Sequence, residues 1–378
     1  MAIRFQILHQ VQSARHGVLS TPHGSVETPI FMPVGTAATV KGLTPQQLQE
    51  LNAQIILGNT YHLALRPGDS LIAELGGLHR FMNWPGPILT DSGGYQVFSL
   101  AQTRKVTDHG VLFKSHIDGA LLELTPERAV EIQENLGSDL AMVLDECPPA
   151  DADETVLRSA IVRSLRWAER CQKHHHRGDQ ALFAIVQGGT RLDLRQECAR
   201  ELVAMNFPGY ALGGFSVGET PAAMHAALPD CAAMLPAEKP RYLMGVGRPQ
   251  DLLIGIAAGI DLFDCVMPTR SGRNALAFTH FGPVRLRNAR HRRDPQPLDP
   301  KCSCYCCRHF SRAYLHHLFA CGEMLGPTLL SLHNLAYYLQ LMAEARQAIR
   351  DKRFADFQAE CQAGWQSASL GDDGAFKP

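Results

Sequence analysis

The feature that most constrains this chain is a rhythm. A short β-rich apolar segment, a loop containing Gly, Asp or Pro, and an amphipathic stretch of helical period follow one another eight times. The apolar segments are Thr28–Gly35, Ile55–Thr60, Pro87–Asp91, Asp139–Glu146, Ala181–Gly189, Gly209–Gly218, Arg241–Gly247 and Asp261–Pro268. Helices are predicted between most of them, over Pro45–Ala53, Pro67–Leu75, Pro126–Leu136, Asp153–Lys173, Leu192–Met205, Pro221–Leu235 and Pro249–Ala258. Several of these open with the Pro or Asp signals of a helix start. Strands that alternate with helices pair in parallel through right-handed crossovers, and a closed (β/α)8 TIM barrel is the economical α/β solution. A doubly wound open sheet is the alternative. The chain, 378 residues and 45% hydrophobic, is long enough for one such barrel and an appendage.

Two regions break the rhythm. At about residues 97–124 the chain runs through Val97–Leu100, Gly110–Lys114 and Leu121–Leu124, which predicts an inserted β-hairpin with Arg104 and Lys105 near its bend. From residue 270 the composition changes. Residues 270–293 carry seven arginines (270, 273, 285, 287, 290, 292 and 293) and no acid. A cysteine cluster follows, then helical pattern from about Arg312, with a tail from Ser367 to Pro378 expected to fray. The expected division is a barrel over 1–269 and a basic, metal-binding, helical subdomain over 270–378.

The loops at the carboxyl ends of barrel strands converge on one mouth. Here they would bring together Asp91, Asp145 with Glu146, Gln187, the Gly213-Gly214 pair, Glu219 and Asp264. Taken singly, each acid is better explained as a helix N-cap. Taken together, they match displacement at a sugar anomeric carbon. One carboxylate attacks the oxocarbenium-like centre, and the other exchanges a proton with the leaving group. Asp145 would accept hydrogen bonds from the N–H edge of a purine.

The run Cys302-Ser303-Cys304-Tyr305-Cys306-Cys307, with His333 beyond it, offers the thiolates and imidazole of a closed structural zinc site. On spacing alone Cys306 is interchangeable with a neighbour, and His309, His316 or His317 with His333. Buried free thiols are the bland alternative. His174-His175-His176 reads as a solvated helix end, because adjacent helical residues point in different directions. The arginines after residue 269 suit phosphate contacts, against the alternative of a basic face paired with acids elsewhere. The stretch Met1–Gly17 has no signal-peptide core and no eighteen apolar residues run together, so a cytoplasmic protein with reduced thiols is expected.

Several strings resemble the bacterial tRNA-guanine transglycosylases. They include Asp91-Ser92-Gly93-Gly94-Tyr95-Gln96-Val97, Asp145-Glu146-Cys147, Arg241-Tyr242-Leu243-Met244-Gly245-Val246-Gly247 and Phe263-Asp264-Cys265-Val266-Met267-Pro268-Thr269-Arg270. The resemblance runs from Thr28 to about Asp351. It implies a zinc-containing barrel that exchanges the wobble guanine of G-U-N anticodons for the 7-deazaguanine base preQ1, on the way to queuosine. It makes Asp264 the nucleophile and Asp91 the general acid/base. Asp145 would read the N1 and amino edge of the base, Gln187 and the Gly214 amide its carbonyl side, and Tyr95 and Met244 its faces. Ser92, Gln96, Gly213, Phe215 and Glu219 would complete the pocket. Thr269, Arg270 and Arg273 would meet the tRNA anticodon loop. The zinc ligands would be Cys302, Cys304, Cys307 and His333, and relatives are homodimers.

The chain departs from its relatives at Phe215-Ser216, where many carry Leu-Ala, and at Ala275, which replaces a commoner glycine. The Phe215 carbonyl, expected to meet the aminomethyl group of preQ1, survives any side-chain change. Cys147 and Val217 follow the bacterial pattern, which favours preQ1 over the bulkier queuine. A non-catalytic RNA-binding partner subunit and a barrel enzyme for a small phosphorylated metabolite are the rival readings. The first would lack the acids, and the second has no need of the zinc-linked basic segment.

Overall fold

The computed structural model describes residues 2–100, 104–149 and 151–369. Eight short strands carry the rhythm: β1 (Ile30–Met32, continued by Val34–Gly35), β2 (Ile56–Gly58), β3 (Ile88–Thr90), β4 (Leu140–Met142), β5 (Ala181–Val186), β6 (Gly209–Leu212), β7 (Arg241–Leu243) and β8 (Leu262–Asp264). Each pairs in parallel with the next, and β8 pairs back with β1. The first strand is divided at Pro33, so that Ile30–Met32 lies on β8 and Val34–Gly35 on β2. Pro33 has no N–H to give, yet its carbonyl still accepts from Leu57 N at 3.0 Å. The sheet therefore closes as a (β/α)8 barrel, and the open doubly wound alternative falls.

The strands are shorter than the apolar segments that announced them. The predicted Gly209–Gly218 ends at Leu212, because Gly214 turns the chain away at φ +67°. Asp261–Pro268 ends at Asp264, and Met267 already opens the helix Met267–Arg273. The helix Pro126–Leu136 stands as expected, between a Thr125 cap that accepts from Arg128 N and a left-handed Gly137. Asp153 likewise caps Glu154–His174, whose end carries the histidine run. The helix expected over Pro67–Leu75 is present as Asp69–Glu74, and two short helices that were not expected, Thr60–Leu65 and Gly77–Met82, flank it. Gly68 and Gly76, at φ +108° and +94°, separate the three.

The insertion also differs from expectation. Val97–Leu100 continues the helix Gly94–Leu100, and Arg104–Val106, Val111–Lys114 and Leu121–Leu124 form a three-stranded antiparallel sheet. Arg104 and Lys105 thus lie on an edge strand rather than at a bend. Residues 101–103 lie outside the described residues. A second antiparallel sheet, Arg4–Val11, Ala14–Thr21 and Gly24–Thr28, precedes the barrel and was not predicted. It lies at the amino ends of the strands, where His23 and Arg15 reach Asp139 and Asp261.

After residue 270 come the hairpin Leu276–Thr279 with Gly282–Arg285, the short helix Tyr305–His309 and three longer helices, Arg312–Cys321, Leu325–Arg350 and Phe354–Ser369. Leu325–Arg350 crosses the β7–β8–β1 side of the barrel. Asn334 Nδ2 donates to the carbonyls of Pro268 and Leu276, Tyr338 to that of Gly247, and Arg346 to that of Pro29. Of the tail expected to fray, Ser367–Ser369 closes the last helix and residues 370–378 lie outside the described residues. Among the described residues no helix is long and apolar enough to cross a membrane.

Candidate active site

Parallel register explains which side chains meet at the mouth. Gly58 pairs with Thr90, so the residues that follow them, Asn59 and Asp91, leave β2 and β3 side by side. Asn59 Nδ2 donates to Asp91 Oδ2, Gln96 Nε2 donates to the same oxygen at 2.7 Å, and Thr60 N donates to Oδ1 at 2.9 Å. Thr60 opens the helix Thr60–Leu65, whose cap residue Asn59 turns its side chain to Asp91 and makes no capping bond of its own, so Asp91 caps a helix from the neighbouring strand. The carboxyl is 7% exposed. Burial drives its pKa from 3.8 up to about 6; the three donors pull it down, and the nearby Asp264 charge adds to the rise.

Asp145, beyond β4, is equally buried. It accepts from Gln187 Nε2 at 2.6 Å and Ser92 Oγ at 3.3 Å, and burial raises it to about 6. Val186 pairs with Leu212, which sets Gln187 beside Gly213-Gly214. That approach requires glycine, since a Cβ on Gly213 would come within 2.6 Å of Gln187 Nε2 and one on Gly214 within 2.5 Å of Oε1. Among the described residues Gln96 Oε1 and Gln187 Oε1 are buried without a hydrogen-bond partner. Unsatisfied acceptors of this kind mark a place where a ligand or water belongs.

Asp264 ends β8, next to β7. Tyr242 OH donates to its Oδ1 at 2.6 Å and Gly245 N to the same atom at 2.8 Å. Among the described residues both bonds fall on Oδ1 and none on Oδ2. Burial raises this carboxyl above the ordinary range, with the two donors opposing. No arginine, lysine or histidine pairs with any of the three mouth acids among the described residues.

The other predicted residues take varied positions. Tyr95 is 51% exposed on Gly94–Leu100 and Met244 half-buried after β7. Phe215 is buried, and Glu219 folds back to accept from Ser216 N and from Val217 N at 3.1 Å. Arg270 is exposed. Arg273 is half-buried with an Nη1 that has no hydrogen-bond partner. Thr269 is buried and its hydroxyl donates to Val266, so its side chain serves its own helix. The Asn59, Thr60, Tyr242 and Gly245 partners were not anticipated. Only the strand register, which pairs positions remote in the chain, points to them.

A cavity of about 290 Å³ lies elsewhere, lined by His225, Asp251, Phe278 and Trp365 among others. None of the mouth acids lines it, so the chemistry follows the carboxylates rather than the volume.

The second constellation resolves the choice of ligands. Cys302, Cys304, Cys307 and His333 are buried with their donor atoms within 4.8 Å of one another. Neither Cys306 nor another histidine joins them among the described residues. His333 Nδ1 faces Cys304 Sγ at 3.6 Å and Cys307 Sγ at 3.3 Å, while Nε2 meets the Phe278 carbonyl at 2.9 Å. A ring nitrogen donating to a carbonyl leaves the other free for a metal, and three thiolates with one imidazole complete a tetrahedron that fits zinc.

Buried acids at the carboxyl end of a closed parallel barrel, together with a separate Cys3His cluster, define a barrel enzyme with an accessory metal-type site. Comparison with known proteins gives the family. The family model described as queuine tRNA-ribosyltransferase matches residues 10–367. Proteins of that name from Solidesulfovibrio magneticus and Brucella melitensis are 57% and 56% identical over 353 and 369 residues. The alignments cover 93% and 97% of this chain, and 95% and 97% of theirs. The Geobacillus kaustophilus protein is 54% identical over 361 residues, 95% of each chain. The chain belongs to the queuine tRNA-ribosyltransferase family and is a pentosyltransferase of the tRNA-guanine transglycosylase type.

Proposed function

We propose that this enzyme replaces the wobble guanine of tRNAs with G-U-N anticodons by preQ1, through a covalent intermediate on Asp264. The observation that carries the assignment of roles is the contrast between the two facing acids. Asp91 has donors on both oxygens and a pKa of about 6, which suits a group that gives and takes a proton near neutrality. Asp264 is held by one oxygen only, which leaves the other for attack.

In the first half-reaction Asp264 Oδ2 forms a bond to ribose C1′ as the C1′–N9 bond breaks, and protonated Asp91 gives its proton to the departing guanine. In the second, Asp91 takes the N9 proton of the incoming base. That nitrogen then bonds to C1′, and the carboxylate of Asp264 is released. One glycosidic bond replaces another, so no energy source is required.

Asp145 would accept from the N1 and amino edge of the base, with Gln187 and the Gly214 N–H on its carbonyl side. Tyr95 and Met244 would stack on its faces, as a base withdrawn from its strand is read. Ser92, Gln96, Gly213, Phe215 and Glu219 would shape the pocket, and Arg270 and Arg273 would contact anticodon phosphates. Zinc on Cys302, Cys304, Cys307 and His333 would hold the cysteine loop to the helix Leu325–Arg350 and, with all four positions filled by protein, supply folding energy rather than chemistry.

Incorporation of labelled guanine into unmodified tRNA, with no other cofactor added, tests the proposal. Exchange is expected. Its absence in a folded protein that still binds tRNA would favour a non-catalytic partner subunit. Stripping the metal with a chelator is expected to lower the thermal midpoint together with activity; activity lost from a fully folded protein would contradict a structural metal.

A further inference from the structure

Arg195 is a fully buried arginine that forms no ion pair among the described residues. Such a side chain is rare, because a buried guanidinium without a carboxylate must satisfy its donors in some other way. Here they go to backbone. Nε donates to the Gly189 carbonyl at 2.6 Å, Nη1 to Val186 at 3.2 Å and Nη2 to Gly213 at 2.8 Å. The guanidinium also lies 3.8 Å from the centre of the Phe215 ring.

The carbonyls it gathers belong to the ends of β5 and β6. Val186 immediately precedes Gln187, and Gly213 immediately precedes Gly214. A trans peptide points its C=O and N–H in opposite directions. Holding the Gly213 carbonyl toward the helix Leu192–Ala204 therefore turns the Gly214 N–H the other way, toward the Cys147 thiol beyond β4, which the Gln187 amide also meets. Gly188, at φ +142°, permits this, since a Cβ there would come within 2.9 Å of Arg195 N and Cγ. The Gln187 amide has no slack either, wedged as it is against Gly213-Gly214 and drawn to Asp145.

We infer that Arg195 is the positioning residue for base recognition: by clamping the Val186, Gly189 and Gly213 carbonyls against Phe215, it fixes the Gly214 N–H and Gln187 in the orientation that reads the carbonyl edge of the incoming base. This rests on the base contacts proposed above. Phe215 adds an aromatic face to the clamp in this chain.

The test is Arg195→Lys, which keeps the charge but cannot reach three carbonyls in a fixed plane, alongside Phe215→Leu. Guanine exchange would be measured with guanine and tRNA varied separately. Inhibition by guanine would be compared with that by 2-aminopurine, which lacks the 6-oxo group. The active fraction would be titrated by covalent tRNA adduct. For Arg195→Lys the KM for guanine should rise about tenfold, the size of one lost hydrogen bond. The preference for guanine over 2-aminopurine should narrow by a similar factor, with the KM for tRNA unchanged. Phe215→Leu should change the same quantities in the same direction, by less. A folded Arg195→Lys enzyme with unaltered guanine KM and unaltered preference, whose kcat falls only with its active fraction, would overturn the inference and leave Arg195 a structural strut. Absence of exchange by the unaltered enzyme would instead remove the proposed function, and this inference with it.

Discussion

The two ends of the barrel treat the same kind of residue in opposite ways. Strands β4 and β8 each carry an aspartate at both ends. At the amino end Asp139 is bonded by His23, His79 and the Ile88 N–H, and these partners hold its carboxyl below the ordinary range despite burial. Asp261 is gripped there by Arg15 through both oxygens and by Arg241 N at 2.7 Å, and although burial still raises its carboxyl, the Arg15 cation opposes the rise. At the carboxyl end Asp145 and Asp264 have amide, hydroxyl and backbone donors but no cation, and burial lifts both. Carboxyls at the foot are bonded to imidazole and guanidinium side chains and tie elements together. At the mouth Asp145 and Asp264 have no cation beside them among the described residues, the setting in which a carboxyl is open to a proton or a ligand.

Substitutions at the two ends should therefore separate stability from activity. Asp264→Asn should reduce exchange by about a thousandfold or more while the protein stays folded, since an amide cannot act as the nucleophile. Arg15→Met at the foot should do the reverse. It strands Asp261 as a buried charge, at a cost of roughly 3–5 kcal/mol of stability, with turnover per folded molecule unchanged. Denaturant unfolding beside active-site titration distinguishes them, and a catalytic loss in folded Arg15→Met enzyme would break the comparison.

Asp145 gives the pH form of the same contrast. Its carboxyl is raised in the folded state from 3.8 to about 6, so its contribution to stability is present below pH 3.8 and lost as pH rises through 6. A rise of that size corresponds to roughly 3 kcal/mol. Asp145→Asn should raise the thermal midpoint at pH 8, with the gain vanishing near pH 4. A midpoint lowered at pH 8 would mean that the Gln187 and Ser92 donors outweigh burial.

The smallest expected effect lies within the basic segment. Ala275 follows the Asn274 cap of Met267–Arg273 in a left-handed conformation, φ +62°, where glycine is the unstrained choice. Ala275→Gly should stabilise by about 0.5–1 kcal/mol, measured as a shift in denaturant midpoint. No gain would show that the buried methyl offsets the backbone cost.

Much of the barrel was legible because buried parallel strands read as short apolar runs closed by Gly, Pro or Asp. Ala181–Val186, buried along its whole length, is the plainest case. The amino-terminal sheet was not, because Arg4–Val11 alternates half-buried and exposed positions filled with Gln and His, which dilutes its pattern. Val97–Leu100 misled because Val and Phe favour strands, whereas the turn at Gly93-Gly94 had already begun a helix there. The mouth acids could be located from their place after apolar runs, whereas the cysteine spacing announced a metal-type cluster without choosing among Cys306, its neighbours and the nearby histidines, a choice that the buried set Cys302, Cys304, Cys307 and His333 makes. Arg195, Tyr242 and Asn59 were invisible because their partners are set by strand register rather than by distance along the chain.

The central claim is that Asp264 forms the covalent bond. Quenching the enzyme with tRNA under denaturing conditions, digesting both polymers and mapping the ribose-bearing peptide by mass spectrometry tests it most directly. The modification is predicted on Asp264, and no adduct is predicted for Asp264→Asn. A ribose on Asp91, or an undiminished adduct in Asp264→Asn, would contradict it.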